Sequence, residues 1–289
     1  MVGMTTADTP LGITGATGRL GGRVARRLAA LGLGQRLLVR DPSRAPALAG
    51  APAVRAPFAD TQAVIAALTG VRTVLMVSAS ESAERVAEHT AFVDAAAQAG
   101  VEHLVYISFY GAAADCTFTL GRDHHATEEH IRASGMTFTF LRDNLYADFL
   151  SALVGADGAI RGPAAQGRVA AVAQDDIADA TTAVLMDPAA HAGVTYSLTG
   201  PEALNLDEVA GLLTATQGRP VRYHPETVAE AYASRAAYGP PDWQVDAWVS
   251  TYTAIAAGEM AGVTDDVVRL SGHPAMSPAE LLRGAGSTY

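Results

Sequence analysis

Three glycines, Gly15, Gly18 and Gly21, recur at Gly-x-x-Gly-x-x-Gly spacing within Leu11-Gly-Ile-Thr-Gly-Ala-Thr-Gly-Arg-Leu-Gly21. A short apolar strand runs into them, and a helical pattern follows, with Leu20, Val24, Leu28 and Leu31 on one face. In that context each glycine has a separate job. The first permits a tight turn, the second lets the backbone approach a diphosphate, and the third lets the helix lie close to the strand. The N–H groups of the helix start then face the anion. The loop residues Thr17, Arg19 and Leu20 join the three glycines as expected contacts of a dinucleotide.

The end of the second strand decides which dinucleotide. A carboxylate there accepts from the ribose 2′-OH of NAD, whereas an arginine pairs with the 2′-phosphate of NADP. Arg40 holds that position and Asp41 comes one residue later, which points to NADP; the alternative is that Arg40 is a solvated surface residue. Arg19 is a second candidate phosphate partner. Asp60, after a third strand, suits either the adenine edge or a cap on the helix starting at Thr61. Ser78, at the end of the next strand, completes this group of cofactor contacts.

These residues need a scaffold, and the pattern supplies one. Strands are expected at Gln35–Arg40, Val54–Phe58, Thr73–Ser78, His103–Ser108 and Thr137–Arg142. Helices are expected over Thr61–Leu68, Ala83–Ala99 and Arg122–Ala133, with Gly100 and Gly135 as stops. Alternation of strands and helices predicts an α/β fold, a Rossmann-type doubly wound parallel sheet. Past residue 150 the rhythm loosens. A strand at Arg168–Ala173, a helix at Asp175–Leu185 and a return strand at Thr195–Thr199 follow. Asn205 and Glu208 have capping-box spacing for a helix that Gly218 ends, and Val221–His224 reads as a short strand. Helices at Thr227–Ala237 and Gln244–Ala257, broken by Pro240-Pro241, make the last third mainly helical. The expected division is a dinucleotide-binding core over 1–150 and, over 151–289, a smaller C-terminal lobe that returns to the core and seats the substrate.

Composition narrows the partners. A net charge of −10 argues against nucleic acid, whose phosphates reward basic surfaces. No apolar run is long enough for a membrane span. Met1–Pro10 has no signal-peptide pattern, and the single Cys116 allows no internal disulfide, so a cytoplasmic setting is expected. Asp123, His124, His125, Glu128, Glu129 and His130 crowd one helix, but a single helix face supplies two metal ligands where a closed site wants three or four. No metal is expected.

The Gly15–Gly21 turn, Val39-Arg40-Asp41-Pro42 and Leu120-Gly-Arg-Asp-His124-His-Ala-Thr-Glu128 together resemble the NmrA-like branch of the atypical short-chain dehydrogenases/reductases. Within that branch they are most similar to the type-2 NAD(P)H:quinone oxidoreductases and triphenylmethane reductase. The resemblance covers most of 11–150 and continues loosely through Thr195-Tyr-Ser-Leu-Thr-Gly-Pro-Glu202. The wider superfamily carries a Ser, then Tyr-x-x-x-Lys. By that resemblance Ser108 keeps its place, Leu120 stands at the Tyr position and His124 at the Lys position. It implies that His124 takes the ribose contact and that the usual tyrosine acid is absent, as in the quinone-reductase members.

Hydride transfer survives that loss when the acceptor is conjugated, because a delocalised system takes the charge without an obligatory acid. A plain ketone needs a proton as the alkoxide forms. Tyr110 and Tyr146 are the candidate donors, with pocket lining as their plainer role. Asn144 stands where a strand end meets the crevice of the sheet. Phe109, Phe149, Trp243 and Trp248 are candidates for an apolar wall. The expected activity is NADPH-dependent hydride transfer to a quinone or another conjugated, apolar small molecule, with Ser108, His124 and Tyr110 as catalytic candidates. The alternatives are a non-catalytic NAD(P) sensor and a ketone or enone reductase of secondary metabolism. Oligomeric state stays open, a homodimer among the options.

Overall fold

The computed structural model describes residues 10–285, so most of the Met1–Pro10 stretch read for a signal peptide lies outside the described residues. The elements in chain order are β1 (Leu11–Thr14), α1 (Arg19–Ala30), β2 (Gln35–Val39), β3 (Ala53–Arg55), α2 (Thr61–Leu68), β4 (Thr73–Val77), α3 (Arg85–Gln98), β5 (His103–Phe109), α4 (Thr119–Ala133) and β6 (Thr137–Asp143). They continue with β7 (Ala159–Gly162), β8 (Arg168–Val169), α5 (Gln174–Met186), β9 (Thr195–Leu198), β10 (Leu204–Asn205), α6 (Leu206–Gln217), β11 (Arg222–Pro225), α7 (Val228–Ala236), α8 (Asp242–Ala256), α9 (Asp266–Ser271) and α10 (Pro278–Ala285).

Seven strands form one sheet in the order β3-β2-β1-β4-β5-β6-β9. The pairs β1–β2, β2–β3, β1–β4 and β4–β5 are all parallel. The order reverses at β1, which places a crevice at its carboxyl end, where the Gly15 turn sits. Burial explains the pattern. Val74, Leu75 and Met76 are all fully buried, as a parallel strand covered on both faces requires. Leu20, Val24 and Leu28 form the buried stripe of α1; Leu31 lies past its end and is 50% exposed, which corrects its place on that face.

The chain folds into two compact units, each built from discontinuous segments. The first takes the chain up to Ser108 with Ala126–Leu141 and Ile177–Tyr196. Its core includes Val64, Leu68, Met76, Phe92, Tyr106 and Phe140. The second takes Phe109–His125, Arg142–Asp176 and the chain from Ser197 on. Its core includes Phe109, Phe118, Leu150, Ile160, Leu213 and Ile255.

Caps fix several boundaries. Asp60 accepts from Ala63 N at 3.2 Å and starts α2. Asn205 and Glu208 complete the capping box of α6, and Gly218 ends it in the left-handed conformation. A second box, Thr227 with Glu230, starts α7. Each such cap contributes about 1 kcal/mol. The structure departs from the sequence pattern in several places, β3 (Ala53–Arg55 rather than Val54–Phe58) and the unexpected β10 among them. α4 begins at Thr119, three residues before Arg122. The strand expected at 168–173 contracts to the two residues of β8. β7, unforeseen, exists because it pairs in parallel with β11, and α9 and α10 complete the C-terminal part. No helix among the described residues is long and apolar enough to cross a membrane.

Candidate active site

In the first unit the glycine turn is built as its spacing demands. Gly15 has φ +66°, a left-handed conformation that L side chains rarely adopt. Gly18 N–H closes the turn on Gly15 O at 2.8 Å. Gly18 is also the extended N-cap of α1, with no side-chain cap, and the first turn holds no acidic residue. The first-turn N–H groups, which have no carbonyl partner within the helix, are therefore left for an anion. A Cβ on Gly21 would lie 2.5 Å from the carbonyl carbon and oxygen of Gly15. That close approach sets the helix against the strand, and the arrangement fits a dinucleotide diphosphate. Thr17, Gly18 and Arg19 are exposed beside it; Leu20 is buried, so only its backbone is available to a ligand.

At the end of β2, Arg40 is exposed and makes no hydrogen bond or ion pair among the described residues. Asp41 is turned away: it accepts from Ser43 N at 3.0 Å and from Ser43 Oγ at 2.7 Å, capping a single 3-10 turn over Pro42–Arg44. Those bonds hold its carboxyl below the usual carboxylate range. The one carboxylate at this strand end is thus occupied locally, and Arg40 and Arg44 flank it. Arg44 has no earlier sequence signal beyond its charge. Of the two readings for Asp60, capping is the one formed; its other oxygen pairs with Arg55 at 2.9 Å.

Ser78 is half-buried after β4. The next peptide is held from both sides by α3. Ala79 N donates to His89 Nε2 at 2.9 Å, and Arg85 Nε donates to Ala79 O at 3.2 Å. His89 is fully buried, with Nδ1 3.0 Å from Thr127 Oγ1. Burial, aided by the Arg85 charge, pushes its pKa down to about 3. The ring is neutral, and the backbone donor assigns its proton to Nδ1. Sequence reasoning missed His89; its place on the buried face of a predicted helix was the available signal.

Ser108 is corrected. It is fully buried and donates from Oγ to Oε1 of Glu128, also fully buried, at 2.6 Å. Glu128 Oε2 in turn lies 3.3 Å from Arg132 Nη2. The hydroxyl proton is committed to a carboxylate, so Ser108 pairs with Glu128. On the outer face of α4, His130 Nε2 lies 2.7 Å from Asp94 Oδ1, and Arg132 forms an ion pair with Glu129.

The second unit carries the remaining candidates. His124 is buried, its ring 6.1 Å from that of Phe109. Tyr110 is half-buried; its N–H bonds Asp143 O at 2.8 Å, and its hydroxyl packs directly against Gly262, where any side chain would collide with it. The Tyr110 hydroxyl has no hydrogen bond among the described residues, whereas Tyr146 donates to Asp143 Oδ2 at 2.9 Å. Asn144 is corrected too. It is 1% exposed, donates to Met260 O at 3.0 Å and accepts from Leu145 N at 2.8 Å. Its amide ties the end of β6 to the 260 segment. Nearby residues of this unit enclose a cavity of about 590 Å³, walled by Leu145, Tyr146, Phe149, Tyr238, Trp248 and Tyr252. Phe149 and Trp248 are where an apolar wall was expected; Phe109 is instead in the core.

A doubly wound sheet with an uncapped glycine turn at its switch point defines a Rossmann-type dinucleotide-binding protein. The NmrA-like family matches residues 8–235, and the chain belongs to that family. It is 31% identical over 282 residues to the NAD(P)H azoreductase of Xenophilus azovorans, covering 96% of this chain and 98% of that protein. It superposes on the NADPH complex of the Escherichia coli quinone oxidoreductase 2 with a TM-score of 0.86 and 30% identity, covering 95% and 99% of the two chains. The Citrobacter sp. triphenylmethane reductase complexed with NADP(H) gives a TM-score of 0.83 at 28% identity, covering 96% and 99%.

Proposed function

We propose that this protein is an NADPH-dependent oxidoreductase that reduces a quinone or another conjugated, largely apolar small molecule. The observation that carries the reading is the open glycine turn with Arg40 beside it and Asp41 turned onto Ser43, in a chain similar along nearly its whole length to NAD(P)H-dependent reductases. Gly15, Gly18 and Gly21 hold the diphosphate, with Thr17 and the Leu20 backbone at its edge. Arg40, with Arg19 and Arg44, holds the 2′-phosphate. Ser78 and the clamped Ala79 peptide border the nicotinamide side. His124 takes the ribose contact. When bound, NADPH supplies the hydride, and the acceptor gains it together with one proton from Tyr110 or water.

The aromatic cavity of the second unit, to which most of 151–289 belongs, seats the acceptor. Leu120 and the Glu128-bound Ser108 leave β5 without its usual acid, which suits an acceptor that delocalises charge. Tyr110 does not line that cavity, but its hydroxyl has no hydrogen bond among the described residues, and it is the candidate proton donor. The reading extends to a cytoplasmic setting, and sedimentation of the purified protein decides whether it is a homodimer.

The test mixes purified protein with NADPH and a panel of quinones, azo and triphenylmethane dyes and activated ketones, following nicotinamide absorbance. Oxidation with quinones is expected, and Tyr110→Phe should slow ketone reduction by about a hundredfold while changing quinone reduction far less. Tight NADPH binding without oxidation by any acceptor would sink the enzyme reading and favour a cofactor sensor.

A further inference from the structure

The cavity of the second unit is apolar except at one wall, and that wall has a sign. Among the described residues its lining contains two charged groups, Arg161 and Arg235, and no carboxylate. Arg235 is neutralised one for one. Its side chain is 11% exposed, its Nη1 is 2.7 Å from Oε2 of Glu226, and its guanidinium stacks 5.1 Å over the Tyr252 ring. Its Nη2 donates to Arg161 O at 2.9 Å, so the two arginines are built into one wall. Arg161 differs. It is 40% exposed and grips Asp157 through both Nη atoms, at 3.0 and 2.6 Å. Asp157 is shared: Arg222 also reaches it at 3.3 Å. Three guanidinium groups therefore meet two carboxylates, an excess of one positive charge in a chain whose net charge is −10.

Three other polar groups of the lining are turned away from a ligand, and the Trp248 N–H with the Tyr238 and Tyr252 hydroxyls are its neutral polar groups. Ser234 Oγ donates to Ala231 O, Thr251 Oγ1 to Ala247 O, and Tyr146 to Asp143. A guanidinium has five N–H bonds in a fixed fork, and Asp157 takes two of those on Arg161. The remaining N–H groups of Arg161 are charged donors that this cavity offers beside those neutral ones.

We infer that the acceptor taken by this cavity carries an anionic substituent, a carboxylate, sulfonate or phosphate, held by Arg161 while its conjugated body lies among the aromatic side chains. The inference rests on the reading above that this cavity seats the hydride acceptor. An uncharged acceptor leaves the charged donors of Arg161 to water, and a cationic one meets the excess positive charge directly. Discrimination by a charge-assisted contact of this kind is about tenfold or more in affinity.

The experiment uses the full chain saturated with NADP+ and three probes of one ring size: 2-methyl-1,4-naphthoquinone, 1,4-naphthoquinone-2-sulfonate and a naphthoquinone bearing a trimethylammonium group. Binding is read from quenching of the fluorescence of Trp248, which lines the cavity, and KM from NADPH oxidation. The sulfonate is expected to bind about tenfold more tightly than the methyl compound and the cation more weakly. Raising the salt should shrink that preference in the unaltered protein, Arg161→Gln should abolish it, and Arg222→Gln should reduce it. Equal binding of sulfonate and methyl compound, or a preference indifferent to salt and to Arg161→Gln, overturns the inference. The two readings separate cleanly. Reduction of all three probes without preference overturns the anionic substituent and leaves hydride transfer standing. Arg161-dependent, salt-sensitive binding of the sulfonate without oxidation of NADPH does the reverse.

Discussion

Replacing Gly21 by Ala tests the cradle at its tightest point. The new Cβ would lie 2.5 Å from the carbonyl carbon and oxygen of Gly15 and 2.7 Å from Thr14 O. All three are backbone atoms, so no side chain can rotate aside. Ordinary contact begins at 3.4 Å, so α1 must move off β1 by about 0.9 Å. Overpacking of this size costs about 1–3 kcal/mol of stability. The same displacement carries the first-turn N–H groups away from the diphosphate. A hydrogen bond of about 2.9 Å stretched by that much is no longer one, and a bond to a charged group contributes about 1.5–3 kcal/mol. Losing one weakens NADPH about 10- to 150-fold. Gly34→Ala is the control, because a Cβ there meets nothing within 4 Å. Fluorescence titration with NADPH gives the affinity, and thermal unfolding gives the stability. A folded Gly21→Ala protein that binds NADPH within about twofold of the original would refute the argument that this turn positions the phosphates.

Two further outcomes follow from the same geometry. Arg40→Ala should weaken NADPH about tenfold or more and leave NADH nearly unchanged in paired titrations, since it removes a charged fork from the 2′-phosphate alone; equal loss for both cofactors would contradict the assignment. His89 carries a folded pKa of about 3 against an ordinary 6.5, so between those values the unfolded chain binds the extra proton, and stability present above pH 6.5 is lost progressively on acidification toward 3. The loss reaches a few kcal/mol at the acid end, and urea unfolding across that range should show His89→Gln, which keeps an acceptor for Ala79 N–H, with a visibly flatter acid limb; parallel limbs would remove His89 as the cause.

The parts legible in the sequence are those fixed by local sterics or capping. Gly15 and Gly21 were readable because a left-handed turn strongly favours glycine and a 2.5 Å backbone approach excludes any Cβ. The start of α2 and both ends of α6 were readable because Asp60, Asn205, Glu208 and Gly218 act within four residues. β7 was not, since its strand character comes from pairing with β11, about sixty residues later. His89 looked like any helix histidine until the fold brought Ala79 N–H to it. The Arg161 and Arg235 wall had no local signature, because β7, α7 and α8 must pack before it exists.

Ser108 and Glu128 show how a familiar position can change its work. Twenty residues separate them, and a family pattern read along the chain assigns each a role without connecting them. The fold connects them through a 2.6 Å bond between fully buried side chains. A buried carboxylate needs donors, because an unpaired one is costly to desolvate, and Ser108 and Arg132 supply them. The bond fixes α4 against β5. Four residues before Glu128, the same helix carries His124, for which we propose the ribose contact. A hydroxyl that elsewhere meets the substrate here anchors the helix bearing the proposed ribose contact. What β5 retains is positioning, and the acceptor that suits it is one whose own conjugation absorbs the charge.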